Sequence, residues 1–166
     1  MRKGVGFKMV PNFGWLVPGQ LAGSGDIAGW RAYDAEVIRR NLSWLTEEGI
    51  GAIATLTASP LDKSILDEYQ FEYKHIPIMD MTPPSIESIV EFVEFSTECL
   101  KQDKPILVHC SAGLGRTGTM LSCFMVSNGV EPLEAIMRVR ESRPGSVETL
   151  EQEMRVIEYA DSISLD

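Results

Sequence analysis

Basic residues are in short supply in this chain. Fifteen Lys and Arg face 24 Asp and Glu, a net charge of −9. That balance argues against nucleic acid or an anionic membrane as the main partner. It leaves room for a small anionic ligand, because a few oriented backbone dipoles override net charge locally. Cysteine is scarce too. Cys99, Cys110 and Cys123 make neither an even disulfide framework nor a CxxC pair. Two histidines, His75 and His109, are too few for a structural zinc site. No apolar run approaches the ~18 residues of a membrane-spanning helix. Arg2, Lys3 and Lys8 lack the apolar stretch of a signal peptide behind them, since Pro11, Asn12, Gly14, Pro18 and Gly19 interrupt it. A reducing, cytoplasmic setting is expected.

What is present fits one domain over residues 1–166, expected to be monomeric, large enough to bury roughly 70% of its unfolded surface without staples. Val17-Pro18-Gly19 reads as the turn of a short hairpin between Phe13–Val17 and Gln20–Ala22. Ala22-Gly23-Ser24-Gly25 reads as a flexible loop. Val37, Ile38, Leu42 and Leu45 recur at helical spacing over 34–48, with Gly49 suited to close the helix. Residues 50–56 read as a buried strand, 61–69 as a weaker helix, and Phe71, Tyr73 and His75 as one side of a half-exposed strand. Met79 to Pro84 is a loop, and Ser85 caps a helix striped by Ile86, Ile89, Val90, Val93 and Leu100.

Residues 105–109 form a second buried strand, and a glycine-rich turn leads into an apolar helix over 116–128, closed by Gly129. Pro132 starts another helix, Arg143-Pro144-Gly145 breaks it, and Thr149 with Gln152 makes a capping box for the last. The interleaving predicts an α/β fold, with a small, mostly parallel sheet flanked by helices on both sides.

The chemistry concentrates between Ile106 and Gly118. Gly113-Leu114-Gly115-Arg116-Thr117-Gly118 satisfies GxGxxG, after a strand and opening a helix. A dinucleotide fold would need another parallel strand with an acidic residue about 20 positions on. Here 131–141 reads as helix and no strand follows. A second reading uses every residue. Five residues separate Cys110 from Arg116, and a loop of that length can aim successive N–H groups inward at a helix N-terminus. Ser111, Ala112, Gly113, Leu114 and Gly115 then cradle an oxyanion, and Arg116 adds a planar fork for two of its oxygens. Cys110 sits at the base, where the same positive field favours thiolate over thiol. The plainer alternatives are a core cysteine for Cys110, an ordinary turn for the glycines and a surface ion pair for Arg116.

The run His109-Cys110-x5-Arg116-Thr117 resembles the signature of cysteine-based protein tyrosine phosphatases. Pro11-Asn12-Phe13-Gly14-Trp15, Leu21-Ala22-Gly23 and Arg143-Pro144-Gly145-Ser146-Val147-Glu148-Thr149 are similar to segments of the small atypical dual-specificity phosphatases and small archaeal tyrosine phosphatases. The resemblance extends over about 11–160 and implies the cysteine-phosphatase fold. It implies that Asp80, in the loop upstream, is the general acid; Met79 stands where this family often has proline. A protonated carboxyl there also answers the leaving oxygen's need for a proton. Thr117 resembles the hydroxyl that stabilises the cysteine thiolate as a leaving group. His109 resembles the histidine that supports the loop. Gln152 aligns with a glutamine that positions the hydrolytic water, with helix capping as its rival role. Cys99 and Cys123 lie at apolar helical positions and read as core.

The resemblance implies phosphomonoester hydrolysis on a phosphorylated protein or peptide, without a cofactor or metal. Two other readings stand beside it. One is the same chemistry on a phosphoinositide or an RNA 5′-triphosphate, which Ser111, Ala112 and Leu114 disfavour because none is basic. The other is a phosphate-binding module without catalysis, which would fit a chain lacking Cys110 or Arg116. An arsenate reductase or sulfurtransferase fits less well, since Asp80 precedes the signature. The loop over Ala22–Arg31 is expected to set the preference between phosphotyrosine and phosphoserine or phosphothreonine.

Overall fold

The structure, a computed structural model, describes residues 9–29 and 34–164. Arg2, Lys3, Lys8 and Arg31 lie outside them. Among the described residues five short strands, β1 (Gly14–Val17), β2 (Leu21–Ser24), β3 (Ala52–Thr55), β4 (Glu72–His75) and β5 (Ile106–His109), form one sheet in the order β1-β2-β5-β3-β4. Only β1 runs antiparallel to its neighbour; β2, β5, β3 and β4 are parallel. The described residues form six helices: α1 (Ala35–Glu47), α2 (Lys63–Leu66), α3 (Ile86–Lys101), α4 (Gly115–Ser127), α5 (Pro132–Ser142) and α6 (Leu150–Ile163).

Side chains alternate across the parallel strands and split the core in two. Leu21, Ala52, Ala54, Ile106 and Val108 face a cluster with Ile89, Phe92, Met120, Leu121, Ile136 and Val156, so α3 to α6 cover that side. Ala22, Ile53 and Leu107 face Ile38, Leu42, Leu45 and Ile65, so α1 and α2 cover the other. The expected α/β architecture, with helices on both faces of a mostly parallel sheet, is the one observed. Each fully buried side chain such as Phe92 or Leu42 contributes about 1.5–3 kcal/mol.

Several local expectations shift. Ala22-Gly23-Ser24 is not a flexible loop but the buried strand β2, paired with β5 through Leu21↔Ile106 to Ser24↔His109. The small residues there answer to close packing. A Cβ on Gly23 would lie 2.9 Å from Thr117 Cγ2 and 3.1 Å from the Arg143 guanidinium carbon. The weak helix at 61–69 shrinks to Lys63–Leu66, with Asp62 accepting from Ser64 N as its cap. On α3 the buried stripe is Ile89, Phe92, Ser96 and Cys99, while Val90 turns outward at 37% exposed. The caps fall where the sequence puts them: Ser85 accepts from Ser88 N, and Thr149 and Gln152 close a reciprocal capping box.

Among the described residues no helix is long and apolar enough to cross a membrane. None of them group as three or more His, Cys, Asp or Glu placed to hold a metal ion.

Candidate active site

Ser24, His109, Thr55 and His75 end their parallel strands in register, in one row across the sheet. Cys110 follows that row, at the carboxyl edge where open α/β sheets bind ligands. The loop from Ser111 to Leu114 then delivers the chain into α4. Leu114 is the N-cap residue and supplies no side-chain acceptor, so the first N–H groups of α4 are left for a ligand.

The loop faces its N–H groups inward because its carbonyls are held from outside. Ser111 O accepts from Asp26 N at 3.0 Å, Ala112 O from Asn12 Nδ2 at 3.1 Å, and Gly113 O from Arg143 Nη2 at 2.7 Å. In a trans peptide the N–H points opposite the C=O. Pinning these three carbonyls therefore turns the N–H groups of Ala112, Gly113 and Leu114 toward the concave side. The Gly113 N–H shows the result, reaching Cys110 Sγ at 3.2 Å. Gly113 itself adopts φ +76, and a Cβ there would fall 2.4 Å from the Ser24 carbonyl carbon, so glycine is required twice over.

Cys110 is 2% exposed and receives a second hydrogen bond from Thr117 Oγ1 at 3.0 Å. Two donors, Gly113 N and Thr117 Oγ1, therefore converge on one sulfur. His109 is fully buried, and its Nε2 lies 2.7 Å from Thr55 Oγ1. Burial lowers its pKa from 6.5 to about 4, with the Arg116 charge adding to the effect and the Cys110 backbone opposing it. His109 is therefore neutral at pH 7.

Arg116 is 4% exposed. Its Nη1 donates to Ile78 O at 2.9 Å and its Nη2 to Ser111 Oγ at 3.1 Å, while Nη2 also lies 3.1 Å from Asp80 Oδ1. One guanidinium thus joins the Cys110 loop to the loop that carries Asp80. Asp80 is exposed, and its Oδ1 also accepts from Met81 N, with Met81 in the left-handed region at φ 61. Gln152 is fully buried. Its Oε1 accepts from Glu148 N at 2.8 Å and Thr149 N at 3.1 Å, while Nε2 reaches Thr82 O at 3.4 Å. A Cβ on Gly115 would meet Glu148 Oε1 at 2.8 Å and Gln152 Nε2 at 3.0 Å, so both side chains abut the cradle.

All the candidate residues, Asp80, His109, Cys110, Ser111, Ala112, Gly113, Leu114, Gly115, Arg116, Thr117 and Gln152, converge on one site. Three participants were not legible as such in the sequence. The sequence places Arg143 in a helix-breaking triplet and in a segment similar to the phosphatases, without a role of its own. Asn12 had read as part of a turn-rich segment, and Asp26 had no expected role. Asn12 and Arg143 lie in segments that carry the family resemblance, but their contacts with the loop arise only through the tertiary fold. Cys99 and Cys123 are buried in the core, and burial pushes both thiols up.

Beside Cys110 a groove of about 640 Å³ runs from Asp80, Ser111 and Ala112 to Asp26, Gly29 and the Thr57–Leu61 segment. Its described lining includes no Lys or Arg. Asp26 is half-buried, and burial raises its carboxyl above the usual range although Ala28 N donates to it. The arrangement offers an anion seat over a sulfur nucleophile, a fixed cation, and a carboxyl at the rim.

Known proteins share this architecture. Residues 28–130 match the family model described as polymorphic toxin system, DSP-PTPase phosphatase. Human cyclin-dependent kinase inhibitor 3 is 34% identical over 142 residues, covering 76% of this chain and 67% of that protein. Human dual specificity protein phosphatase CDC14A is 28% identical, covering 82% of this chain but 23% of its own length. Among solved structures, Tk-PTP in the active form superimposes with a TM-score of 0.76 at 31% identity, over 92% of this chain and 97% of the other. With the family model spanning more than half the chain, the protein belongs to the DSP-PTPase family, as a small atypical cysteine-based phosphatase.

Proposed function

We propose that this phosphatase hydrolyses phosphotyrosine, and more slowly phosphoserine and phosphothreonine, in protein substrates through a phosphocysteine intermediate. The observation that carries the proposal is Cys110 Sγ, met by Gly113 N at 3.2 Å and Thr117 Oγ1 at 3.0 Å on the floor of a loop that ends in Arg116. In the first step Cys110 attacks phosphorus, the bond to the ester oxygen breaks, and Asp80 gives that oxygen a proton. Arg116 and the inward N–H groups hold the equatorial oxygens, where charge is concentrated. In the second step water attacks the phosphocysteine with Asp80 now accepting its proton. Cys110 leaves as thiolate, stabilised by Thr117. Gln152 borders the same space, with Nε2 donating to Thr82 O at 3.4 Å and Oε1 committed to capping α6. The scheme draws its charge stabilisation from Arg116 and backbone dipoles and calls on no metal or cofactor.

The groove supports the protein substrate. Its volume suits an aryl ring, within the usual ~300–1,000 Å³ of small-ligand sites. Its described lining carries carboxylates and no cations, a poor match for further phosphates on an inositol ring or a triphosphate. We take the chain to act as one catalytic unit in the cytoplasm, as a monomer.

The test is turnover in excess chelator on a phosphotyrosine peptide, a phosphothreonine peptide, a phosphoinositide and a 5′-triphosphorylated RNA. Fastest turnover is expected on the phosphotyrosine peptide. Activity that returns only with added divalent metal overturns the mechanism, and preference for the lipid or RNA overturns the substrate class.

A further inference from the structure

Arg143 lies 33 residues beyond Cys110, in the turn after α5, yet it is buried against the back of the nucleophile loop at 3% exposed. Its Nη1 donates to Gly23 O at 2.9 Å and its Nη2 to Gly113 O at 2.7 Å. Its Nε has no partner. Among the described residues its hydrogen-bond partners are two backbone carbonyls and no carboxylate. The glycines around it leave space for it: a Cβ on Gly14 would lie 3.3 Å from Nη1.

A buried cation without a counter-charge is costly. Bracing two carbonyls does not require the charge, since an uncharged amide can donate to carbonyls. The charge is compensated only when an anion sits in front of the loop, and the Cys110 sulfur is close enough to raise the Arg143 pKa against the lowering by burial. The hydrogen bond to Gly113 O has its own consequence. That carbonyl shares a peptide plane with Leu114 N–H, so holding it outward aims Leu114 N–H into the cradle.

From this geometry we propose that Arg143 is a positioning residue for the phosphatase reaction. It fixes the Gly113–Leu114 peptide for oxyanion binding, and it supplies from behind the loop a second positive charge for the thiolate and the bound phosphoryl group. The proposal rests on the phosphatase reading of the same site, and its test can be read without turnover.

Compare the wild type with Arg143→Met, which removes fork and charge, and Arg143→Lys, which keeps the charge and loses the planar fork. Confirm cooperative melting of each. Measure binding of inorganic phosphate, and alkylation of Cys110 by anionic iodoacetate relative to neutral iodoacetamide. For Arg143→Met the expected results are phosphate binding weakened about 10-fold and the iodoacetate preference lost. kcat on p-nitrophenyl phosphate should fall by about 10²-fold, the scale of removing one oxyanion donor. Arg143→Lys should restore the iodoacetate preference and only part of kcat.

A folded Arg143→Met with wild-type phosphate affinity and alkylation preference overturns the proposal. So does an Arg143→Lys that matches Arg143→Met in alkylation preference. If Arg143→Met does not fold, Gly14→Ala crowds Nη1 without deleting it. Measurably weaker phosphate binding is then expected, and unchanged binding overturns the proposal. A wild type that binds phosphate and prefers iodoacetate but turns over no phosphoester defeats the proposed function instead, and leaves the role of Arg143 to be decided by the same binding data.

Discussion

Arg116 Nη2 and Asp80 Oδ1 stand 3.1 Å apart, one side chain 4% exposed and the other 71%. The pair ties an exposed carboxylate to a buried cation that also bonds Ile78 O and Ser111 Oγ. An ion pair with one partner so exposed adds little stability. Its consequence is positional: Arg116 also holds Ile78 O two residues earlier, so the Asp80 carboxyl is kept beside the Arg116 guanidinium.

Asp80→Asn should lower kcat by roughly 10²–10⁴-fold on a phosphotyrosine peptide, whose leaving phenolate needs a proton. The loss should shrink on a substrate with a strongly acidic leaving phenol. Comparing the two leaving groups checks this. An equal loss on both would move the acid's role elsewhere in the site.

Thr117→Val removes the 3.0 Å hydrogen bond to Cys110 Sγ while keeping the side chain's bulk. The thiolate is then a poorer leaving group, so hydrolysis of the phosphocysteine should slow by about 10-fold or more, the scale of one hydrogen bond to a charged group. Rapid mixing should show a burst of phenol that the wild type lacks, and Thr117→Ser should abolish the burst.

His109 imposes a pH dependence on folding. Its folded pKa is about 4 against 6.5 for the free side chain. Below pH 6.5 the unfolded chain takes up a proton that the folded chain refuses, so this contribution is complete above 6.5 and lost as pH falls toward 4. By pH 5 the loss should reach about 2 kcal/mol. Urea titrations at pH 7 and pH 5 should show it, and His109→Gln should flatten the difference.

Peroxide should oxidise Cys110 before Cys99 or Cys123. Burial pushes both of those thiols up, which suppresses their thiolates, whereas the Cys110 sulfur has two donors, Gly113 N and Thr117 Oγ1, aimed at it. Reductant should restore activity after brief exposure, and sustained exposure should inactivate irreversibly. Mass spectrometry of the oxidised protein checks this; a dominant Cys110–Cys99 or Cys110–Cys123 peptide would show a resolving cysteine instead.

Much of this protein is determined locally. The short continuous apolar runs at 50–56 and 105–109 and the helical periodicity of α1 read as buried strands beside a helix. Ser85, Thr149 and Gln152 cap their helices through bonds spanning three residues, so their effect is visible in sequence order. Cys110, Gly113 and Arg116 belong together for the same reason: a five-residue loop at a strand–helix junction closes on itself. Val90 and the truncated α2 show where periodicity alone fails, because a neighbouring element decides which side of a weak stripe is covered.

Gly23 and Arg143 mark what only the tertiary structure decided. Gly23 had the composition of a loop, but its lack of a side chain serves the approach of Thr117 and Arg143 to β2. Arg143 reaches Gly113 across 30 residues and Gly23 across 120. No local pattern encodes such contacts. They exist because the sheet order places β2 beside β5, and because α5 ends where a guanidinium reaches behind both.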